Sequence, residues 1–266
     1  MRRMLALVRA SWLTAASYRL NMLVSLVSLL MMVIPVYFVA GALQPVMADS
    51  IAGQGGEYFG FLLVGIITLM FLTTAVTSLP TALGSSIASG TFEALLGTRA
   101  RLGEIVAGTV GYAFIWTAVR ALLLLVVGLA LGAPLMGERS PAALLILGLI
   151  ILAYIPFGLL AAAGVLAFKT SGSLPAAVLT VSGLLGGVYY PTQVIPSWLQ
   201  DLSMAVPLTY GLRALRAVVL EGGSLRASAP DLAVLSGFAL ALFGLSLYVF
   251  TLAVRHAKGS GTLAQY

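Results

Sequence analysis

The chain has 266 residues, of which 61% are hydrophobic and 8% are charged, and its formal net charge is +6. Soluble domains carry roughly a quarter charged residues, so this composition excludes water as the main solvent and indicates a membrane protein. Cysteine is absent, which excludes disulfide scaffolds, thiolate catalysis and cysteine-ligated metals. The arginine-, alanine-, glycine- and leucine-rich composition is typical of a bacterial gene of high GC content. The positive charge is a topology signal and does not indicate nucleic-acid binding.

The N-terminal region, residues 1–20, is basic and carries a stripe of apolar side chains at helical spacing. This pattern predicts an interfacial helix that lies on the membrane surface. A cleaved signal peptide is the alternative interpretation. It is disfavoured because the apolar stretch at residues 21–43 exceeds the roughly 7–15 residues of a signal peptide.

Six apolar segments follow, and each is long enough to cross a hydrocarbon core about 30 Å thick. The predicted spans cover residues 22–43, 59–82, 105–132, 142–167, 174–192 and 231–254. The fifth is interrupted by Gly186, Gly187 and Pro191, which neighbouring helices can accommodate inside a bundle. The sequence therefore predicts an all-α integral membrane protein in which residues 21–266 form one six-span transmembrane domain.

The distribution of basic residues predicts the orientation of the chain. If both termini are cytoplasmic, the inner side holds Arg2, Arg3, Arg9, Arg19, Arg99, Arg101, Lys169, Arg255 and Lys258. The outer side then holds only Arg139, Arg213, Arg216 and Arg226. Because cytoplasmic loops carry an excess of Lys and Arg, this bias predicts a multi-pass protein of the bacterial inner membrane with both termini inside.

The predicted spans lack the residues that most membrane chemistries require. No Asp or Glu lies deep within a span, whereas ion-coupled carriers use intramembrane ionisable groups. His256 follows the last span, and neither a serine-nucleophile elbow, a metal-ligand cluster nor a phosphate-binding loop occurs. A membrane-embedded lipid-modifying enzyme and an energy-independent channel or scaffold are therefore weaker alternatives. Uphill transport by this chain would need energy from another polypeptide.

One charge, Arg120, falls near the middle of the third span. Its insertion costs about 2.5–3.5 kcal/mol, which the apolar residues of that span offset. It is either a structural residue bonded to carbonyls or hydroxyls of a neighbouring helix, near Thr117, or a cavity-facing contact for an anionic substrate headgroup. The residues leave both interpretations open.

Two further patterns have a common structural explanation and a functional alternative. The glycine pairs 128/132 and 183/187 have the spacing that permits close helix approach, which is common in any membrane bundle, and their functional alternative is a dimer seam. Aromatic side chains lie where generic interfacial aromatics are expected, and their functional alternative is a path for sugars or flat apolar drugs. These residues are Tyr37, Phe38, Tyr189 and Tyr190.

The polar stretch between the second and third spans predicts a short helix at residues 92–96. Thr91 can cap its start, Glu93 lies in the first turn where an acid is favoured, and Gly97 can end it. Such a helix is too short to be stable alone in water. Phe92 and Leu96 must therefore pack against the membrane surface, the base of the bundle or a cytoplasmic partner.

Two segments carry a family resemblance. The stretch Gly-Thr-Phe-Glu-Ala-Leu-Leu at residues 90–96, followed by Thr98, resembles the coupling-helix region of type-2 (ABC-2 class) ABC export permeases. It departs at Arg99, where that family commonly has proline. The outer segment after the fifth span resembles the same family through Gly187, Pro191, Pro196, Trp198, Pro207, Tyr210, Arg213, Arg216 and Gly222. The importer class of ABC permease is matched only faintly, at residues 93–97.

The resemblance implies the membrane subunit of an ATP-driven exporter of a drug, a lipid or a lipid-linked glycan. It implies a second permease protomer, as a homodimer, and two cytoplasmic ATPase subunits that bind ATP and Mg, so this chain itself needs no cofactor. It also implies re-entrant helices within residues 193–230 that cap the outer exit, with an interfacial belt as the alternative. The residues implied to contact the ATPase are Thr91, Phe92, Glu93, Leu95, Leu96, Arg99 and Arg101.

Overall fold

The computed structural model describes residues 19–88, 102–135, 140–168 and 172–259, with the side chains of 21, 102–109 and 256–259 excepted. Their regular structure is helical throughout. The helices are α1 (Arg19–Met47), α2 (Tyr58–Ala88), α3 (Leu102–Ala130), α4 (Ser140–Phe168), α5 (Leu174–Leu185), α6 (Ser197–Ser203), α7 (Pro207–Val219) and α8 (Ala229–Gly259). Short 3-10 helices lie at Asp49–Gln54 and Thr192–Val194. The predicted N-terminal helix, apart from its last residues, and the predicted coupling helix lie outside the described residues.

Within the described residues, five helices are long and apolar enough to cross a membrane. Their apolar parts are Met22–Met47 in α1, Tyr58–Ala88 in α2, Val110–Ala130 in α3, Ser140–Phe168 in α4 and Ala229–Arg255 in α8. These helices coincide with five of the six predicted spans, with ends that differ by at most six residues. The prediction of an all-helical, multi-pass membrane protein is therefore confirmed.

The fifth predicted span, residues 174–192, is not one continuous crossing helix. Helix α5 has 12 residues, which makes it about 18 Å long at a rise of 1.5 Å per residue. That length falls short of a hydrocarbon core about 30 Å thick. The helix ends before Gly187, whose φ of +77° is a left-handed conformation that glycine adopts without steric cost. The predicted break at the two glycines is present, but it comes after only half a span.

Helix α2 lies at the centre of the bundle and packs against α1, α3 and α4, while α4 packs in turn against α7 and α8. Glycines allow the closest approaches. A Cβ on Gly158 of α4 would collide with the backbone of α2 at Ala75, and a Cβ on Gly128 of α3 would collide with Leu63 of α2. The spacing at Gly128 therefore serves packing within the chain. Gly132 belongs to the turn after α3 and has a φ of +92°.

The short helices α6 and α7 follow the break after α5. Pro196 precedes α6 and Pro207 opens α7, where a residue without an N–H is tolerated because the first turn leaves that donor unpaired. One face of α7 is apolar and buried through Leu208, Leu212 and Leu215, and it lies against α4 and α8. This packing fixes α7 against the end of the bundle and determines where its arginines point.

Candidate functional site

The most deeply buried charged side chain in the described part of the chain is Arg216, with 2% of its surface exposed. It lies on the face of α7 that is buried against the bundle. Its Nη1 donates to the carbonyl oxygen of Gly187 at 2.8 Å and to Oε1 of Gln54 at 3.4 Å. Its Nη2 donates to the carbonyl oxygens of Phe61 and Val188 at 3.1 and 3.2 Å. One guanidinium therefore joins α7 to the turn after α5, to α2 and to the 3-10 helix at Asp49–Gln54.

The surface of α2 is shaped to receive this guanidinium. The carbon at its centre lies 3.4 Å from the centroid of the Phe61 ring, so the cation stacks on the aromatic face. One turn further along α2, Gly65 leaves room for the group. A Cβ at Gly65 would lie 2.5 Å from the carbonyl oxygen of Val188 and 3.0 Å from Nη2 of Arg216. Any larger residue at position 65 would therefore displace either the turn or the arginine.

The charge of Arg216 is balanced by dipoles. Burial lowers the pKa of Arg216 to about 9, and the neighbouring Tyr58 opposes this shift. The guanidinium nevertheless stays protonated at neutral pH. In the described part of the chain, the guanidinium donates hydrogen bonds to three backbone carbonyl oxygens and one side-chain amide oxygen. Its Nε is buried there without a partner. Desolvating a cation costs several kcal/mol, so the carbonyls freed by the break after α5 are essential to its burial.

Further hydrogen bonds extend this arrangement across the same end of the bundle. The hydroxyl of Tyr58 donates to the carbonyl oxygen of Tyr189 at 2.7 Å. The Gln44 side chain donates to the carbonyl oxygen of Gly56 at 2.7 Å and accepts from the backbone N–H of Tyr58 at 2.6 Å. The ends of α1, α2, α5 and α7 are thereby joined. We call this set the outer cap, after the side of the membrane on which the sequence predicts it: Gln44, Gln54, Tyr58, Phe61, Gly187, Val188 and Arg216.

The remaining residues of the predicted outer motif are placed around the cap but do not join it. Arg213 pairs with Asp231 of α8 at 3.3 Å, and the Arg213 side chain is 53% exposed, so the pair contributes little to stability. The hydroxyl of Tyr210 donates to the carbonyl oxygen of Met204 at 2.9 Å. Trp198 is 62% exposed on α6. Pro191, Pro196 and Pro207 precede or open short helical turns.

Arg120 lies in the middle of the apolar part of α3, and its Nε is buried without a hydrogen-bond partner. The nearby hydroxyl of Thr117 instead shares a hydrogen bond of 2.6 Å with Thr74 of α2. The hydroxyl of Ser78, one turn along α2 from Thr74, is also buried without a partner. Among the described residues, the Nε of Arg120 thus stays unsatisfied, which is costly at this depth.

The four predicted aromatic residues divide into two groups. Tyr37 and Phe38 of α1 line a cavity of about 450 Å³ together with Glu57 and Phe59, and the Tyr37 and Phe59 rings meet edge to face at 5.1 Å. Tyr189 and Tyr190 lie in the turn after α5. These two tyrosines and Arg120 are not among the residues that line this cavity. This cavity therefore contains Tyr37 and Phe38 but not the other predicted substrate-path residues.

The predicted ATPase-contacting residues, from Thr91 to Arg101, lie outside the described residues, so their placement stays a prediction. Conversely, sequence reasoning missed the partners of Arg216 and the roles of Gln44 and Gln54. The signals that could have pointed to them are two uncharged amides between the first and second predicted spans, and a glycine at position 65 inside an apolar span.

The five long apolar helices of the described residues define a multi-pass membrane protein. The chain belongs to the ABC-2 type transporter family, because the model of that family matches residues 2–220. This match confirms the resemblance and identifies the membrane domain of an ABC transporter, a family whose permeases generally pair with an ATPase subunit. The comparison with curated proteins finds no match.

We expect Arg216→Gln to destabilise the permease markedly. The variant leaves buried carbonyls without a donor, and each such group costs about 1–3 kcal/mol. The measurement is the thermal unfolding midpoint of the detergent-solubilised protein, followed by size-exclusion chromatography.

The matched control is Arg213→Gln, on the same helix, in which an exposed ion pair worth at most about 1 kcal/mol is lost. Its midpoint should stay close to that of the unmodified protein. Equal midpoints for the two variants would contradict the role assigned to Arg216.

Proposed function

We propose that this chain is the permease half of an ABC exporter that moves a hydrophobic or amphipathic substrate outward, with ATP hydrolysed by a separate subunit. The observation that carries the proposal is the match to the family model, together with described spans that lack an ion relay. The apolar parts of α1, α2 and α4 contain no charged residue, that of α3 contains only Arg120, and that of α8 has Asp231 and Arg255 near its ends. Ion-coupled carriers need intramembrane acids, so an ATP-driven partner is the better source of energy.

The proposed assembly is a homodimer of this chain with two cytoplasmic ATPase subunits in the bacterial inner membrane, with both termini inside. The segment at residues 92–96 lies at the inner side in this arrangement and contacts the ATPase. ATP binding in the partner then favours one of two conformations of the bundle, which requires that the ATPase contact differ between them. The excess of basic residues on the inner side supports this orientation.

The outer cap is the part that must open when substrate leaves. One buried guanidinium and the Tyr58 hydrogen bond tie the turn after α5 to α2. In this proposal α6 and α7 are the re-entrant helices that cover the outer exit. Their attachment to α2 through Arg216 means that a movement of α2, α5 or α7 against the others changes the same set of hydrogen bonds. The cap thus supports a closed resting state.

The substrate we favour is an amphipathic molecule with an anionic headgroup, a class that includes phospholipids and lipid-linked glycans. The position of Arg120 at mid-span supports this choice, because a guanidinium there can form charge-assisted hydrogen bonds with an anionic oxygen. The aromatic cavity at Tyr37 and Phe38 supports a separate apolar or ring-stacking contact on the way out.

Glu93→Lys and Leu96→Asp should uncouple ATP hydrolysis from transport. The first change reverses a charge, and the second places a charge at an apolar position, both in the short helix that we assign to the ATPase contact. In proteoliposomes that hold the permease and its co-purified ATPase, we expect ATP-dependent substrate export to fall by about tenfold or more, the equivalent of at least about 1.4 kcal/mol of coupling.

The control is Glu138→Lys, the same change of charge in the short loop predicted on the opposite side of the membrane. It should leave export near the level of the unmodified complex. Full coupled export by both inner-side variants would remove the assignment of residues 92–96, and uphill movement of substrate by the permease alone would remove the proposed function.

Arg120→Ala should reduce export of anionic substrates more than export of neutral ones. The reason is that only an anionic substrate loses a charged headgroup contact when Arg120 is replaced. Initial export rates for a matched anionic and neutral lipid pair, compared with those of Arg120→Lys, provide the measurement. An equal loss for both lipids, together with poor expression, would instead assign Arg120 a structural role.

A further inference from the structure

A cleft of about 580 Å³ opens between the ends of α4 and α8 and the start of α5. Its volume falls within the roughly 300–1,000 Å³ that is typical of ligand sites. The floor is made of small buried side chains, and the rim is exposed. Floor residues are Ala161, Ala163 and Ala253, and rim residues are Ala167, Phe168 and Leu252.

The cleft lies at hydrocarbon depth. It extends along α4 from Leu160 to Phe168, which is about 12 Å at 1.5 Å per residue, and Phe168 is the last residue of that apolar span. On α8 it begins at Val249 and ends just before Arg255, the last residue of the apolar part. A hydrocarbon core about 30 Å thick has leaflets about half as deep, so the cleft covers most of one leaflet. In the proposed orientation this is the cytoplasmic leaflet.

The chemistry of the cleft excludes water as its occupant. Among the described residues that line it, no side chain can donate or accept a hydrogen bond. Water needs polar partners and does not occupy apolar cavities of this kind. In a bilayer, the solvent that surrounds such a cleft is lipid. An acyl chain therefore fills it. The run of small residues at Ala161, Ala163 and Gly164 creates the cleft, while Phe168 and Leu252 bound it.

A cation lies next to the mouth of the cleft. Arg255 follows Leu252 by three residues, so both lie on the same face of α8, one turn apart. The Arg255 side chain is exposed at the end of the span, at the depth where arginine side chains reach lipid headgroups. The apolar cleft matches the acyl chains of an anionic phospholipid, and the adjacent positive charge matches its headgroup.

We propose that the cleft between α4, α5 and α8 binds one acyl chain of an anionic phospholipid of the cytoplasmic leaflet, with Arg255 holding the phosphate of its headgroup. This lipid is a bound component of the permease and is distinct from the transported substrate. The inference depends on the membrane location and orientation of the chain and does not depend on the direction of transport.

The test uses the full chain in nanodiscs containing phosphatidylglycerol with a photoreactive diazirine in its acyl chain. After illumination, mass spectrometry maps the labelled peptides. We expect labelling to concentrate on residues 160–168 and 249–253. Ala167→Leu fills the cleft from its rim and should lower this labelling about tenfold, because displacing about two buried methylenes has an effect of that size. The control, Ala241→Leu, changes an exposed alanine elsewhere on α8 and should leave the labelling unchanged.

The headgroup contact is tested separately by competition. Arg255→Gln should remove the preference for phosphatidylglycerol over phosphatidylcholine while the labelled positions stay the same. Labelling spread evenly over the lipid-facing helices, or unchanged in Ala167→Leu, would overturn the proposal. Cross-links from the cleft to a second copy of the chain would also overturn it, because they would identify a protein interface. The readout needs no ATP and no transport, so it can fail or succeed independently of the proposed function.

Discussion

The structure depends on the burial of one positive charge, that of Arg216, at the end of a helical membrane bundle. A buried guanidinium without hydrogen-bond acceptors would not be stable there, and acceptors exist because α5 stops halfway and leaves the carbonyls of Gly187 and Val188 outside any helix. The broken span and the buried arginine therefore require each other. Gly65 completes the arrangement, since it brings the turn and the charge against α2.

This interdependence gives the outer cap a physical basis for two-state behaviour. The same guanidinium contacts three elements that are remote in sequence, so separating one of them exposes several unpaired carbonyls and the charge at once. Such a penalty favours a fully closed or a fully open arrangement over intermediate ones. In the proposed assembly, the ATPase contact lies at the opposite end of the bundle from this cap. Arg120, whose Nε has no hydrogen-bond partner among the described residues, is the mid-span charge that we propose contacts the substrate headgroup.

Most of the fold could be predicted from the sequence because apolar length is a direct consequence of bilayer thickness. The five spanning helices follow the predicted segments, and the break at Gly186 and Gly187 was predicted from those glycines. The short length of α5 was not predictable, because its end is stabilised by acceptors and donors far away in the sequence. The sequence predicts Arg216 only as an outer basic residue, and the structure reveals its burial. Its partners are mainly backbone carbonyls, and these have no side-chain signature.

The central claim is that Arg216 holds the turn after α5 against α2 and its preceding loop. Because the chain has no cysteine, spin labels can be attached at single introduced cysteines in place of Ala52, in the 3-10 helix before α2, and Gln193, in the 3-10 helix after α5, both of which are exposed. Electron paramagnetic resonance of the labelled pair in nanodiscs then measures the distance between the two loops. The account predicts one narrow distance distribution that becomes broad and longer in Arg216→Gln. An unchanged distribution in that variant, with the protein folded, would contradict it.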